Sequence, residues 1–216
     1  MGKPIPKMLL KLCGKPLLYW TLKNLEKCSA VGAIVLVVPR SCLKKFENLV
    51  RSYRAKKVVR IVEGGKERVD STRNALPWIP QECEWIGIHD GARPFVSPQL
   101  VESCFKGAHS TGAAILALPS KDTVKLVDGN SKIIRTIPRS QVWAAQTPQV
   151  FRRDILNKMY DSKKSLKGNN SLFTDDSLLA ESLGISVRVI PGSDENIKIT
   201  TPLDLLLAEA IIKKRK

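Results

Sequence analysis

The chain has 216 residues, of which 43% are hydrophobic, and its 36 basic against 20 acidic residues give a net charge of +16. No apolar run approaches the roughly 18 residues that cross a bilayer, and no secretory signal is visible, so we expect neither a membrane span nor a secreted protein. The excess of positive charge predicts an anionic partner, either nucleic acid or a phosphorylated small molecule. Nucleic acid is the second choice, because no helix-turn-helix, zinc-finger or RNA-binding aromatic motif is present.

The cysteines predict a reducing compartment. They are odd in number, widely spaced and without a C-x-x-C pair, which argues against a zinc site or a disulfide framework. Free thiols of this kind are typical of cytosolic proteins, and no signal or transit peptide is seen, so we expect a cytoplasmic protein of bacterial type. The five are Cys13, Cys28, Cys42, Cys83 and Cys104.

Short apolar runs alternate with helix-type segments through the first half of the chain. Continuous apolar stretches are typical of strands covered on both faces, and the segments between them repeat apolar residues at three- and four-residue steps. This alternation predicts right-handed crossovers, and therefore an α/β fold with a Rossmann-like, mostly parallel sheet and helices on both faces. The predicted strands are Ala33–Val38, Val58–Val62, Trp85–His89 and Ala113–Leu118.

The alternation stops after Pro119. Residues Lys121–Ser140 contain two β-type halves around the turn sequence DGN, Asp128–Asn130, with no helix between them. This pattern predicts an antiparallel β-arm, a subdomain of residues 121–140 that projects from a single domain spanning residues 1–216. Helices then resume, and two further strands are predicted in the sequences SVRVI and NIKIT.

Polar residues follow two predicted strands, at the strand end where ligands bind in open α/β sheets. His89, Asp90 and Arg93 follow the run that begins at Trp85. By themselves they also fit an ordinary turn, and His89 suits a structural role. The sequence VEGGKERVDS joins two glycines to a helix start, which favours an anion or a base edge but also fits a plain tight turn.

Two lysines stand beside apolar residues. Lys198 is flanked by Ile197 and Ile199, so on a strand its side chain points away from both, toward solvent or a ligand pocket. Lys7 follows a proline, where a lone lysine is ordinarily a solvated side chain. Neither lysine identifies a site without the other motifs.

Seven segments match the pattern of one family, in the same order along the chain. They are MGKPIPKMLLKLCGKPLL, VEGGKERVDS, IHDGARP, PSKDTVK, WAAQTPQVF, FTDD and ENIKIT. Together they resemble the 2-C-methyl-D-erythritol 4-phosphate cytidylyltransferases of the non-mevalonate isoprenoid route, over essentially the whole chain. Ribitol 5-phosphate cytidylyltransferases share much of this pattern and are the alternative.

The resemblance implies transfer of CMP from CTP to 2-C-methyl-D-erythritol 4-phosphate, with release of pyrophosphate and no covalent intermediate. Attack in line by the acceptor phosphate requires positioning and neutralised charge, which explains why basic residues are the informative ones. The resemblance also implies Mg²⁺ or another divalent cation, held largely by the triphosphate. It further implies a homodimer formed through the β-arm.

The same resemblance assigns roles to single residues. Lys7, Arg139 and Lys198 are the expected catalytic residues: Lys7 stabilises charge on the CTP phosphates, while Arg139 and Lys198 hold the attacking phosphate. The expected substrate-binding residues are Arg93, Thr123, Arg139, Thr174 and Lys198, the nucleotide-binding ones are Lys7, Gly65 and Ser71, and Asp90 is the candidate metal residue. Thr123 and Arg139 are expected to serve the pocket of the neighbouring subunit.

The chain departs from the family pattern at its start. Family members carry an apolar strand and a glycine-rich loop, A-A-G-x-G-x-R, directly before the Met-Gly seen here as Met1 and Gly2. That loop wraps the nucleotide, and its arginine is the second basic group for the transition state. Either the start has been assigned at an internal methionine, which we favour because no other motif departs, or the protein is truncated. Truncation leaves a different class open, an inactive scaffold or a basic nucleic-acid-binding domain.

Overall fold

The computed structural model describes residues 6–161 and 174–215. The strands are β1 (Lys11–Leu12), β2 (Lys15–Pro16), β3 (Ile34–Val38), β4 (Val58–Glu63), β5 (Trp85–Ile88), β6 (Ala113–Pro119), β7 (Val124–Val127), β8 (Ile133–Ile137), β9 (Trp143–Arg152) and β10 (Arg188–Pro191). The α-helices are α1 (Leu17–Lys27), α2 (Leu43–Ser52), α3 (Arg68–Ala75), α4 (Pro98–Ala108), α5 (Arg153–Asp161), α6 (Asp176–Ser182) and α7 (Pro202–Lys214). Short 3₁₀ turns lie at Lys7–Leu9, Arg40–Cys42, Leu76–Trp78 and Arg139–Gln141.

The larger sheet has four strands in the order β10-β6-β9-β5. β10 lies parallel to β6, whereas β9 runs antiparallel to both β6 and β5. No crossover helix separates β6 from β9, so the chain returns from the arm directly beside β6 and in the opposite direction. β3 and β4 form a separate parallel pair. The alternation of strands and helices in the sequence did not indicate the reversed strand.

Helices cover both faces of the four-stranded sheet, as predicted. Ala113 and Phe151 pack with α5 and α6, whereas their chain neighbours Ala114 and Val150 pack with α4 on the other face. Because both faces are covered, β6 is apolar at successive positions, from Ala113 to Leu118. Within the described ranges, no helix combines the length and the apolar character that a membrane crossing requires.

An apolar cavity of about 610 Å³ lies between β3 and β5. Val35 and Val37 line it from β3, and Ile86 and Ile88 line it from β5. In the described part of the chain β3 pairs only with β4, and β5 only with β9, so each has one edge without ladder hydrogen bonds. An inner strand of a parallel sheet lies between two strand edges and is covered by apolar side chains, and this cavity offers the same surroundings.

The β-arm has the antiparallel form that the sequence predicts. β7 pairs with β8, with Val124 opposite Ile137. Asp128 Oδ1 accepts hydrogen bonds from the backbone N–H groups of Asn130 and Lys132, both at 2.9 Å, and so closes the turn. Four large apolar side chains of the arm are 39% to 59% exposed: Leu126, Val127, Ile133 and Ile134. The arm therefore carries apolar surface that its own domain does not cover.

The prediction of a strand at NIKIT is wrong. Residues 196–200 have irregular backbone, held to the turn after β5 by the Ile199 N–H, which donates to Ala92 O at 2.9 Å. Ile199 is buried and Lys198 is exposed, so the predicted alternation of side chains is present without strand pairing. The following helix α7 begins with a capping box between Thr201 and Asp204, which ends the extended segment.

Candidate active site

The turn after β5 places Asp90 and Arg93 together. The Arg93 backbone N–H donates to Asp90 O at 2.9 Å, and Arg93 Nε lies 3.7 Å from Asp90 Oδ2. The nearly buried guanidinium is fixed by the carbonyl oxygens of Asn196 at 2.7 Å and Ala145 at 3.3 Å. Its Nε hydrogen has no hydrogen-bond partner among the described residues. Arg93 is thus a rigid cation whose buried Nε faces the Asp90 carboxylate.

Lys198 contacts the same carboxylate. Its Nζ lies 2.9 Å from Asp90 Oδ2. Burial raises the pKa of Asp90, but the hydrogen bond and charge of Lys198, with the charges of Arg68 and Arg93, outweigh burial and hold that pKa below its usual value. Asp90 is therefore ionised at neutral pH, and it gathers basic side chains around one point.

Thr147 on β9 joins Asp90 to His89. The Asp90 backbone N–H donates to Thr147 Oγ1 at 3.0 Å, and Thr147 Oγ1 lies 3.1 Å from His89 Nδ1. His89 Nε2 lies 3.2 Å from Arg93 O. Because a carbonyl oxygen only accepts, Nε2 carries the hydrogen of the neutral ring and Nδ1 accepts from the threonine hydroxyl. His89 thus supports the turn that presents Asp90 and Arg93.

The stability of the fold is expected to fall between about pH 6.5 and pH 4 because of His89. Burial lowers the pKa of His89 from 6.5 to about 4. The unfolded chain binds a proton on this ring as the pH falls below 6.5, whereas the folded chain binds it only near 4. The free energy of unfolding is therefore about 2.5 kcal/mol lower at about pH 4.5 than at neutral pH. Urea unfolding at about pH 7 and about pH 4.5 measures the loss.

His89→Gln is expected to remove this acid-sensitive part of the unfolding free energy. The matched variant His109→Gln is expected to keep it, because His109 stacks on Trp85, with 4.6 Å between ring centroids, away from Asp90. An identical pH dependence in the wild-type chain and in His89→Gln would contradict the neutral state of His89.

β9 and the start of α6 build the opposite wall of a charged pocket of about 190 Å³. Gln149 Nε2 donates to Asp175 Oδ2 at 2.7 Å. Gln149 Oε1 accepts from the backbone N–H groups of Asp176 and Ser177 at 3.0 and 3.1 Å. These bonds fix the helix start and, with it, Thr174 at the pocket wall.

The glycine loop after β4 leads into this pocket. A Cβ atom on Gly65 would lie 2.2 Å from the Cβ of Asp70, so only glycine fits where the loop meets α3. The Gly65 N–H donates to Ser71 Oγ at 3.1 Å, and the Ser71 hydroxyl donates to Glu67 O at 3.1 Å. α3 begins at Arg68, whose side chain lines the pocket. Gly65 and Ser71 therefore shape the loop that positions Arg68.

The structure brings four of the sequence-predicted residues together. Asp90, Arg93, Thr174 and Lys198 line the charged pocket. Lys7 lies close by, since its Nζ donates to the carbonyl oxygen of Thr200, two residues from Lys198, at 3.4 Å. The other predicted residues lie outside the pocket: Gly65 and Ser71 at the loop before α3, and Thr123 and Arg139 at exposed positions of the β-arm.

The sequence pattern does not single out six further pocket residues: Arg68, Ala145, Gln146, Thr147, Gln149 and Asp175. Each lies inside a motif that supports the family resemblance, in VEGGKERVDS, WAAQTPQVF or FTDD. The signal for their importance was therefore present. Their shared location was not visible, because the three motifs are far apart along the chain.

The donor set of the pocket fits a metal ion that is bound mainly by a substrate. Among residues 6–161 and 174–215, no three His, Cys, Asp or Glu side chains form a group that could hold a metal ion. Lys198 and Arg93 both contact the Oδ2 atom of Asp90. A single carboxylate oxygen suits Mg²⁺, which keeps several waters and binds substrate phosphates.

The chain is similar to a well-populated protein family. A profile described as 2-C-methyl-D-erythritol 4-phosphate cytidylyltransferase (IspD) matches residues 1–214. The protein of that name from Syntrophus aciditrophicus is 44% identical over 212 residues, which cover 98% of this chain and 89% of that protein. The one from Alkaliphilus metalliredigens is 40% identical over 217 residues, 100% of this chain and 89% of the relative.

Solved structures agree with the sequence relatives. The 4-diphosphocytidyl-2C-methyl-D-erythritol synthase of Anaerococcus prevotii has a TM-score of 0.87 and 30% identity, covering 95% of this chain and 93% of that one. The 2-C-methyl-D-erythritol 4-phosphate cytidylyltransferase of Francisella tularensis has a TM-score of 0.80 and 34% identity, with 95% and 93% coverage. This likeness confirms the predicted α/β fold class.

Proposed function

Since this chain belongs to the 2-C-methyl-D-erythritol 4-phosphate cytidylyltransferase family, we propose that its charged pocket is where the acceptor phosphate meets CTP. The enzyme transfers CMP from CTP to 2-C-methyl-D-erythritol 4-phosphate in isoprenoid biosynthesis. One observation carries the placement of the site: the Asp90 carboxylate lies 2.9 Å from Lys198 and 3.7 Å from Arg93 at the end of β5.

The pocket suits an attack of one phosphate on another. An oxygen of the acceptor phosphate forms a bond to the α-phosphorus of CTP, and the bond from that phosphorus to the bridging oxygen breaks. Pyrophosphate leaves with the electron pair, so no proton has to be removed from the attacking group. The main obstacle is repulsion between two anions, which fixed positive charges reduce.

The residues at the pocket are assigned different roles in binding the acceptor. Lys198 is exposed and can reach the acceptor phosphate, whereas Arg93 is held rigid and contributes its fixed positive charge at the pocket wall. Thr174 lines the same wall and offers a hydroxyl to the polyol. Thr123 and Arg139 lie outside the pocket of their own chain, and we assign them to the pocket of a second subunit.

CTP is assigned to the edge between the glycine loop and Lys7. Gly65, where only glycine fits, lets a nucleotide approach the loop backbone closely, and the Ser71 hydroxyl lies beside it, 3.1 Å from the Gly65 nitrogen. Lys7 lies near Thr200, so a triphosphate beside Lys7 also lies near Lys198. This placement brings the reacting phosphates of the two substrates to the same basic group.

Enzymes of this family use CTP and generally need a divalent cation. We assign this cation as Mg²⁺, which the triphosphate and the Asp90 carboxylate would hold. When bound, the ion neutralises charge on the CTP phosphates. The role of Asp90 is therefore to hold the basic residues in place and to offer one oxygen.

We assign a homodimer in which the β-arm meets its counterpart. Ile133 and Ile134 are exposed on a two-stranded hairpin, which is marginally stable alone. A two-fold contact between equal arms covers these side chains on both copies at once. The proposal extends to the cytoplasm as the site of action, since all five cysteines are free thiols.

Lys198→Ala is expected to lower kcat/KM about 100-fold or more, because it removes the charge that faces the attacking phosphate. Pyrophosphate release with CTP, Mg²⁺ and 2-C-methyl-D-erythritol 4-phosphate measures the effect. Lys121→Ala is the matched control, since Lys121 is an exposed lysine that pairs with Asp194 at 2.7 Å. The control is expected to keep wild-type activity.

The same assay offers ribitol 5-phosphate in parallel at equal concentration. We expect a clear preference for 2-C-methyl-D-erythritol 4-phosphate. Equal loss of activity in Lys198→Ala and Lys121→Ala would remove the charged pocket from the mechanism. A clear preference for ribitol 5-phosphate would instead overturn the acceptor.

A further inference from the structure

A buried carboxylate lies behind the wall of the charged pocket. Asp176, the first residue of α6, is 1% exposed. Its Oδ2 forms a salt bridge with Arg68 Nη1, and its Oδ1 accepts from the Tyr160 hydroxyl at 2.5 Å. Arg68 begins α3 and Tyr160 lies in α5, so one carboxylate joins three helices that pack against the same sheet.

The orientation of this carboxylate is set on several sides. The Asp176 backbone N–H donates to Gln149 Oε1 at 3.0 Å, which ties the residue to β9. Burial and the charge of Asp176 raise the pKa of Tyr160, so its hydroxyl stays protonated and remains a donor. With the phenol on Oδ1, the other oxygen is directed at Arg68.

Arg68 stands between the buried carboxylate and the pocket. Its side chain is 30% exposed and lines the pocket together with Asp90 and Lys198. Burial lowers the pKa of Arg68, but the charges of Asp176 and Asp90 outweigh burial and raise it. A guanidinium has five N–H donors in one plane. With Nη1 on Asp176, the remaining donors are available to a group in the pocket.

We propose that Asp176 is a positioning residue: it holds the Arg68 guanidinium at the pocket wall, where Arg68 binds the acceptor phosphate together with Lys198. The inference rests on the function proposed above, because it takes the pocket to be the acceptor site. Arg68 is also the first helical residue after the glycine loop.

A purely electrostatic role and a positioning role of Asp176 predict opposite effects of its removal on phosphate affinity. Asp176→Asn deletes a negative charge beside the pocket, and Coulomb attraction then favours an anion there. If Asp176 positions Arg68, the substitution weakens phosphate binding, because the guanidinium loses its anchor and has to be ordered by the ligand. The sign of the change in affinity separates the two roles.

Calorimetric titration of the full chain with inorganic phosphate, without CTP, measures this sign. We expect Asp176→Asn and Arg68→Gln each to weaken binding about tenfold, and the double variant to be no weaker than either, because both changes remove one contact. Tyr160→Phe keeps every charge and is expected to weaken binding about threefold. The control Asp154→Asn, which removes an exposed carboxylate paired with Arg152 at 2.6 Å, is expected not to weaken it.

Unchanged or tighter phosphate binding by folded Asp176→Asn overturns the proposal. Additive losses in the double variant also overturn it, as does a wild-type chain that binds no phosphate. Circular dichroism identifies any single variant that does not fold. The double variant replaces the ion pair by two neutral amides that can hydrogen-bond to each other. If a single variant does not fold, the phosphate affinity of the double variant is compared with that of the wild-type chain instead.

Turnover separates this inference from the proposed function. Asp176→Asn is expected to raise the acceptor KM about tenfold with kcat and the CTP KM nearly unchanged, whereas loss of folded enzyme lowers kcat alone. A chain that carries the family's strand and glycine-rich loop ahead of Met1 but shows no turnover, while its phosphate affinity still depends on Asp176, refutes the function and retains the positioning role. Turnover by the wild-type chain, combined with an acceptor KM that Asp176→Asn leaves unchanged, supports the function and refutes the positioning role.

Discussion

Extending the chain ahead of Met1 by about 20 residues is expected to raise CTP turnover about 100-fold or more. The extension carries an apolar strand and a glycine-rich loop that ends in arginine, the segment that the resembled family places there. The loop brings backbone donors to the nucleotide and one further cation to the phosphates. Loss of a single group of that kind commonly costs about 100- to 1000-fold in rate.

The cavity between β3 and β5 gives the structural reason for this expectation. Its volume is about 610 Å³, its walls are apolar, and the strands on either side belong to separate sheets in the described part of the chain. A parallel strand placed there pairs with both free edges and joins the sheets. Its carboxyl end then delivers the loop near Asp90. We also expect the melting temperature to rise by about 10 °C, as a few kcal/mol of added stability implies.

Two further versions separate folding from catalysis. A flexible Gly/Ser extension of equal length is expected to change neither turnover nor melting temperature, because it cannot pair as an apolar strand. The apolar extension with alanine in place of its arginine is expected to raise the melting temperature and to recover little turnover. Equal turnover by the 216-residue chain and by the extended chain would contradict the prediction.

Mixing two inactive chains is expected to restore activity. Arg139→Ala and Lys7→Ala each remove a positive charge from the proposed phosphate site and are expected to lower turnover about 100-fold or more. If Arg139 serves the neighbouring subunit, a mixed dimer contains one site with both wild-type groups and one site with neither. Random exchange of subunits then recovers about a quarter of the wild-type activity.

The geometry of the β-arm motivates this experiment. Arg139 is exposed and lies outside the pocket of its own chain. Ile133 and Ile134, on the same arm, are 58% and 59% exposed. Contact with a second arm covers these isoleucines and carries Arg139 toward another subunit.

A second mixture is the matched control for complementation. Arg139→Ala and Thr123→Ala both alter the arm, so every site of their mixed dimer keeps one damaged group and no recovery is expected. All chains in the assay carry the extension, so that the glycine-rich loop does not limit turnover. Absence of recovery in the first mixture would place Arg139 in the site of its own chain.

Local patterns predicted most of the elements. The apolar runs Ala33–Val38 and Ala113–Leu118 correspond to β3 and β6, because continuous apolar residues need cover on both faces. The turn at Asp128 was predictable because its carboxylate satisfies nearby backbone N–H groups. The direction of β9 was not predictable in this way, since it depends on where the chain re-enters the sheet. The segment 196–200 alternates like a strand but pairs with no strand in the part of the chain that the structure describes.

Residue order alone establishes the family and the basic character of the site, because ordered motifs, periodicity and net charge are properties of the chain itself. The packed fold was needed to show that Arg68, Thr147 and Asp175 share a pocket with Asp90. These residues come from separate segments, and their meeting depends on how α3, β9 and α6 pack. The ionised state of Asp90 likewise depends on burial and on the cations beside it, and both arise only when distant segments are brought together.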